Sequence, residues 1–546
     1  MIPIGESPQG GGRITLSSLD ALSARAGARL ELIVSFCYHP SFHTMTRPFS
    51  VTTLVELLEA APGANIAIVI PETGVRITYE ALRRQVFAAA DVLAAAGVRR
   101  GDRIALALPN GPAVIVGFLA AAIAGTAAPL NPAYRYEEFS FYLEDTNARL
   151  LVLPPSGAEE ARRAAADRNI PVLTAETESS GEVRISGARG NSTASSPSAD
   201  DVALILHTSG STGRPKRVPL KHMNLAISAG NIVETYGLSP TDVSLCLMPL
   251  FHVHGLVAST LSTLLSGGAV VVPARFNPLS FWRTIRDHGV TWYSAVPTIH
   301  QLILARSAKA AGAESLRFIR SCSAPLPVET GKKLEALFGT PVLEAYGMTE
   351  ASHQMSSNPL PPEARKFGTV GRATGIQIAA MTQAGELLPA GSKGEVVIQG
   401  PSVIRAYESN PEADAKSFVD GWFRTGDEGV LDADGYLRLT GRIKELINRG
   451  GEKIAPAEID EVLLTHPEVA EAVCFGVPHP TWGEEVAAAV VLREAATEAE
   501  LLAHCRDSLA DFKCPKKIYI VPSIPRTATG KVQRLNVAAA LTGAPG

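Results

Sequence analysis

From Leu57 onward, Ala-rich stretches of helical period alternate with short runs of Val, Ile and Leu, and this alternation constrains the fold more than any other feature. Neighbouring parallel strands need a long crossover, usually a helix, so the pattern predicts an α/β architecture with largely parallel sheets. Tyr79–Ala96 (YEALRRQVFAAADVLAAA) gathers its apolar residues on one helical face. Arg103–Leu108 (RIALAL), Val202–Ser209 (VALILHTS) and Ala269–Val272 have strand character. Further on, DADGYLRLTGR carries an Asp434–Gly435 turn and predicts a hairpin.

At 546 residues the chain exceeds one ordinary core, which predicts at least two domains. The pattern restarts after Arg442 as a small α+β unit, so a boundary is expected there, between 45–441 and 442–546. Residues 1–44, rich in Gly and Ser, predict a disordered extension, with a weak transit-like segment as the alternative because Arg13, Arg25 and Arg29 stand among serines. Gly181–Asp200 reads as an exposed linker. Ala113–Ala128 is almost free of polar groups, but it falls short of the roughly 20 residues a membrane helix needs and is interrupted by Gly117 and Gly125. A buried helix is expected, with no integral membrane association.

Hydrophobic residues make up 46% and charged residues 19%, the proportions of a folded chain rather than a disordered one. A net charge of −4 with no basic stripe argues against nucleic-acid binding. The six cysteines, Cys37, Cys246, Cys322, Cys474, Cys505 and Cys514, form no CxxC pair and read as core thiols of a reducing compartment.

Four strings carry chemistry. TSGSTGRPK sets Thr208, Ser209, Gly210, Ser211, Thr212 and Gly213 between a strand and Lys216. Glycines allow close backbone approach to a phosphate, hydroxyls and N–H groups donate to its oxygens, and the lysine adds charge. It is not a Walker A loop, because GxxxxGK[ST] is absent. YGMTE (Tyr346–Glu350) offers an aromatic face for a purine, with a hydroxyl and a carboxylate for phosphate and a hard cation. WFRTGD ends on Asp427, a carboxylate able to accept from ribose hydroxyls, and PRTATGK ends on Lys531 in a tight polar loop.

Together these strings resemble the adenylate-forming superfamily of acyl-CoA synthetases, peptide-synthetase adenylation domains and luciferases, over about residues 55–535. The resemblance implies a large domain of helix-flanked sheets with a small β-barrel-like subdomain, followed by a small mobile α+β C-terminal domain. It implies that ATP, Mg²⁺ and coenzyme A are used, and that a carboxylate is adenylated and then passed to a thiol. By that match Tyr346 stacks on adenine, Thr349 holds the α-phosphate, Glu350 ligates Mg²⁺, Asp427 takes the ribose, Arg442 reaches ribose or phosphate, and Lys531 bridges acid and α-phosphate. Ser323, Ala324, Pro325, Glu344 and Ala345 would complete the nucleotide site. Lys444 matches the hinge, and Gly450 and Gly451 the face that meets CoA.

For the acid, His252 in MPLFHVHG matches the family's gate residue, while His254 is left between pocket and core. RSCSAPL places Cys322 and Ser323 where many relatives carry small apolar residues. FHVHG, IRSCSAPL and EAYGMTEASHQMSSNPLP resemble the oxalate–CoA ligase branch, although Gly347 stands where that branch usually has alanine. Oxalate is therefore the expected acid, with His252, Arg320, Ser321 and His353 as its contacts; a 4-coumarate or medium-chain fatty acid is the alternative. A binding-only relative would have no need of Lys531. With no carrier domain after Gly546 a peptide-synthetase module is not expected, whereas a luciferase-like oxygenase shares the adenylation motifs. A cytoplasmic monomer or weak homodimer is expected; peroxisomal association stays open although the GAPG ending lacks an SKL-type signal.

Overall fold

The computed structural model describes residues 51–208, 215–306, 314–527 and 532–543, so the extension expected over 1–44 lies outside it. In a seven-stranded sheet, Arg103–Leu106 pairs in parallel with Thr126–Pro129 and Ala148–Leu153. The crossover between the first two is the helix Pro112–Ala124, in which every residue is buried. It packs against Tyr79–Ala95, whose buried Leu82, Val86, Ala89, Ala90 and Leu93 recur at helical spacing. The apolar stretch is thus a buried helix followed by a strand. Among the described residues no helix is long and apolar enough to cross a membrane.

At the other end of that sheet, Val202–Thr208 and Lys216–Lys221 form an antiparallel hairpin. The stretch expected to be a linker contains a strand, Val183–Ser186, paired antiparallel with Val172–Thr177. Val183 and Ile185 turn inward and Arg184 and Ser186 outward, a period of two that four residues among Ser and Gly reveal poorly.

The second sheet has nine strands. Val243–Cys246, Trp292–Ala295, Phe318–Ser321 and Val342–Met348 run parallel, side by side. The last of these turns through Thr349–Ala351 and returns antiparallel as His353–Ser357. The expected small β subdomain is a six-stranded antiparallel sheet around Lys393–Gln399 and Trp422–Leu431. Trp422–Leu431 pairs with Leu437–Arg442 across the anticipated turn, where Asp432 accepts the backbone N–H groups of Asp434 and Tyr436 at 2.9 Å each. The small C-terminal domain is built on the long pair Val469–His479 and Gly483–Leu492, covered by helices that include Pro456–Thr465 and Glu498–Ser508. Ile454, Ile459, Leu463, Val486 and Val490 form its core. The five cysteines among the described residues are buried and free.

Candidate active site

Ligands of open parallel sheets bind beyond the carboxyl ends of the strands, and the motif residues collect there. Thr208 closes one strand and Lys216 opens its partner, the two facing each other in register. Thr208 Oγ1 donates to Glu350 Oε1 at 3.2 Å, and the Tyr407 hydroxyl donates to the same oxygen at 3.0 Å. Glu350 is buried within the single turn Thr349–Ala351. The Lys216 ammonium lies 4.5 Å above the Tyr407 ring. Burial lowers the Lys216 pKa; Glu350 and Asp414 oppose this, while the nearby ammonium groups of Lys416 and Lys444 add to it. The hinge-matching lysine therefore contributes to the positive field around Lys216.

Tyr346 donates its hydroxyl to Asp427 Oδ2, and Arg442 Nε stands 3.1 Å from Asp427 Oδ1. Asp427 and Arg442 are cross-strand partners, which fixes this spacing through the backbone. Burial, reinforced by the Asp427 charge, holds the Tyr346 phenol well above its usual range. Glu344 on the same strand is buried and accepts the Gly368 N–H at 3.0 Å. Desolvation lifts its pKa to about 8, and the charge of Glu461, on the small-domain helix Pro456–Thr465, pushes the same way.

A second cluster lies across the ladder from this strand, where Gly347 faces Gln354 and Met348 faces His353. Arg320 is fully buried, and among the described residues its guanidinium pairs with no carboxylate: it meets the Tyr236 hydroxyl at 2.9 Å, Ser294 Oγ at 3.0 Å, Gln354 Oε1 at 3.0 Å, His353 Nδ1 at 3.4 Å and the Cys322 thiol. His254 joins the cluster, with Nε2 2.7 Å from Ser294 Oγ, Nδ1 2.9 Å from Ser323 Oγ, and its ring 5.1 Å from that of His353. A buried cation costs several kcal/mol unless it meets an anion, and none of these partners provides one. The arrangement suits a small anionic ligand.

The AMP-binding enzyme model matches residues 58–408, and the AMP-binding enzyme C-terminal domain matches residues 458–531. The chain belongs to the AMP-binding enzyme family. It is 49% identical over 465 residues to an oxalate–CoA ligase of Arabidopsis thaliana, covering 83% of this chain and 90% of that one. To an oxalate–CoA ligase of Saccharomyces cerevisiae it is 42% identical, with 87% and 94% covered. Its structure matches the crystal structure of ATP-bound MatB from Rhodopseudomonas palustris with a TM-score of 0.82 at 33% identity, over 90% of this chain and 98% of that one. Within the AMP-binding enzymes it is an adenylate-forming acid–CoA ligase, a class for which ATP and CoA are substrates.

In this AMP-binding enzyme the structure brings Thr208, Lys216 and Glu350 together, and likewise Tyr346, Asp427 and Arg442. Thr349 precedes Glu350 in the same turn, and Ala345 lies beside Glu344 and Tyr346. Ser209, Gly210, Ser211, Thr212, Gly213 and Lys531 lie outside the described residues. Ser323, with φ +72°, begins the bend that carries Ala324 and Pro325 away from Phe318–Ser321. Gly450 and Gly451 form the turn between Ile447–Arg449 and Glu452–Ile454. Gly450 has φ +60°, and a Cβ there would meet the Trp482 ring at 2.8 Å.

The four expected acid contacts divide. Arg320 and His353 meet, whereas Ser321, next to Arg320 on one strand, points to the opposite face, and its buried hydroxyl has no hydrogen-bond partner. His252 packs against Phe251, and the histidine joined to the Arg320 cluster is His254. His254 opens the π-helix His254–Leu261, beyond the end of the strand Val243–Cys246. The wider helical turn displaces the pair from any strand or α-helical register, so spacing alone could not choose between them. Tyr236, Ser294, Gln354 and Tyr407 received no role from the sequence. Only Gln354, polar in the stretch after the YGMTE motif, offered a signal there.

Proposed function

We propose that this acid–CoA ligase acts on oxalate, forming oxalyl-AMP and then oxalyl-CoA. The reading is carried by the buried Arg320 guanidinium, whose partners leave its charge uncompensated. One oxalate carboxylate reacts while the other keeps a full charge beside it. Burying that second charge unpaired costs several kcal/mol, and Arg320 offsets this with charge-assisted hydrogen bonds. His353 and His254 add polar edges. The cross-strand pairing of Met348 with His353 supports a carboxylate held close to Thr349 and the α-phosphate. The two relatives named as oxalate–CoA ligases favour the same acid.

In the first half-reaction a carboxylate oxygen attacks the α-phosphorus of ATP and pyrophosphate leaves. Tyr346 packs on adenine, Asp427 accepts from the ribose hydroxyls, and Arg442, beside Asp427, reaches ribose or phosphate. Ser209, Gly210, Ser211, Thr212 and Gly213 cradle the phosphates with Thr208 and Lys216, while Thr349 donates to the α-phosphate. Lys531 neutralises charge between acid and α-phosphate. Positioning and fixed charge supply the rate, and no covalent enzyme intermediate is needed. Glu350 suits magnesium, which is held by one or two carboxylates together with phosphate oxygens and water. Among the described residues no group of three His, Cys, Asp or Glu forms a dedicated cage. When bound there, magnesium neutralises phosphate charge. In the second half-reaction the small domain turns about Lys444, Gly450 and Gly451 line the approach of pantetheine, and the thiolate of CoA attacks the acyl carbon as AMP leaves.

Pyrophosphate release across oxalate, malonate, acetate, octanoate and coumarate, with and without CoA, tests the assignment. Oxalate should give the highest kcat/KM. Preference for octanoate or coumarate removes the oxalate reading and leaves the ligase class intact.

A further inference from the structure

We propose that Tyr407 is a positioning residue for the phosphate side of the site: its hydroxyl fixes the Glu350 carboxylate and its ring seats the Lys216 ammonium. The inference rests on the reading of Glu350 and Lys216 as groups that meet Mg²⁺·ATP. Tyr407 is buried, with its hydroxyl 3.0 Å from Glu350 Oε1 and its ring 4.5 Å below Lys216 Nζ. Thr208 Oγ1 donates to the same carboxylate oxygen, so two hydroxyls hold Glu350 from one side and set its rotamer.

The segment is itself anchored. Tyr407 N–H donates to Asp414 Oδ1 at 2.7 Å. Its neighbour Glu408 forms ion pairs with Arg103 and, at 3.2 Å, with Arg217 Nε, and Glu408 N–H donates to the Arg217 carbonyl at 3.0 Å. Arg217 Nη1 stands 3.3 Å from Asp145 Oδ2, which is 3.1 Å from His207 Nε2. His207 adjoins Thr208 and Arg217 adjoins Lys216, so one network grips the two strand ends at Thr208 and Lys216 and the Tyr407 segment as well. A phenylalanine would fill the same space and still face Lys216. The hydroxyl distinguishes the residue: it donates to Glu350 and also meets the Ser417 side chain, so the Glu350→Gln background below isolates the carboxylate contact.

Equilibrium titration of ATP binding on the free enzyme, at a series of magnesium concentrations, tests this. Tyr407→Phe should raise the half-saturating magnesium concentration about tenfold, as expected for losing a hydrogen bond to a charged group. ATP binding without magnesium should change less than about twofold, because the ring remains beneath Lys216. Thioester formation from pre-made oxalyl-AMP should be unchanged. In a Glu350→Gln background, Tyr407→Phe should add less than about twofold, since coupled residues are not additive. Unchanged magnesium dependence in Tyr407→Phe, or a full tenfold effect in the Glu350→Gln background, overturns the proposal. A wild-type chain that binds no Mg²⁺·ATP would instead remove the nucleotide-site reading on which it rests.

Discussion

Replacing Arg320 with methionine should separate binding of the acid from stability of the fold. Methionine approximates the length of the side chain and removes the charge. The neighbours do not lose their last bonds. The Tyr236 hydroxyl keeps contacts with Gln354 Oε1 at 3.0 Å and Ser357 Oγ at 2.8 Å, Ser294 Oγ keeps His254 Nε2, and Gln354 Nε2 keeps Thr235 at 3.2 Å. The Tyr236, Ser294 and Gln354 groups are thus not stranded at the usual cost of about 1–3 kcal/mol, and an uncompensated buried cation is relieved. The melting temperature of the ligand-free enzyme should therefore stay within about 3 °C of wild type or rise. Oxalate loses its countercharge; hydrogen bonds to a charged group worth ~3 kcal/mol convert to about a 10²-fold fall in kcat/KM. Residual acetate activity, which needs no second countercharge, should fall far less. The assays are pyrophosphate release with each acid and a thermal melt without ligand. An equal loss on oxalate and acetate with a large drop in melting temperature would make Arg320 a structural strut and refute the reasoning.

Glu344, at about pKa 8 against an ordinary 4.5, keeps a proton in the folded chain that the unfolded chain has released. Its contribution to stability is complete below pH 4.5 and is lost as pH rises through 8, at ~1.4 kcal/mol per unit between them; denaturation of ligand-free Glu344→Gln should lack this slope, and an identical slope would contradict the assignment. Asp427→Ala should raise the KM for ATP far more than that for the acid, whereas equal effects on both would point to misfolding. Lys531→Ala should abolish adenylate formation and largely spare thioester formation from pre-made acyl-AMP; equal failure of both half-reactions would make the lysine structural.

The parts of this site readable in the sequence are those encoded locally. The period-two and helical patterns yield the sheets, and the Asp434–Gly435 turn yields the hairpin that carries Asp427 and Arg442, although the register shift between Glu428 and Gly429 that sets those two opposite each other leaves no sequence signal. The acid cluster could not be read in this way. Arg320 meets Tyr236 across 84 positions and Ser294 across 26, and no spacing rule links a helix residue to two strand residues in a parallel sheet. Strand parity was legible and would have separated Ser321 from Arg320 had the Phe318–Ser321 limits been known. His252 was named by its match to the family's gate residue, and the π-helix on which His254 meets Ser294, beside Arg320, leaves no periodic trace in the sequence.

Gly347, the departure from the oxalate-branch pattern, has a physical cause at the junction of the two clusters. The ladder between Val342–Met348 and His353–Ser357 shifts register between Tyr346 and Gly347. A Cβ at Gly347 would stand 2.1 Å from the His353 carbonyl oxygen, so no side chain fits without moving that strand. The return strand starts from Ser352 at φ +57° and His353 at φ +117°, backbone that L-residues seldom adopt and that persists only where surrounding contacts enforce it. Here those contacts include Ser228, whose hydroxyl donates to the Ser352 carbonyl at 2.8 Å, and Arg320 at the His353 ring. The irregularity directs Tyr346 to Asp427 while His353 and Gln354 meet Arg320. Nucleotide and acid positions are thus registered to each other through a strained stretch of backbone, and the glycine is what allows its two strands to come this close.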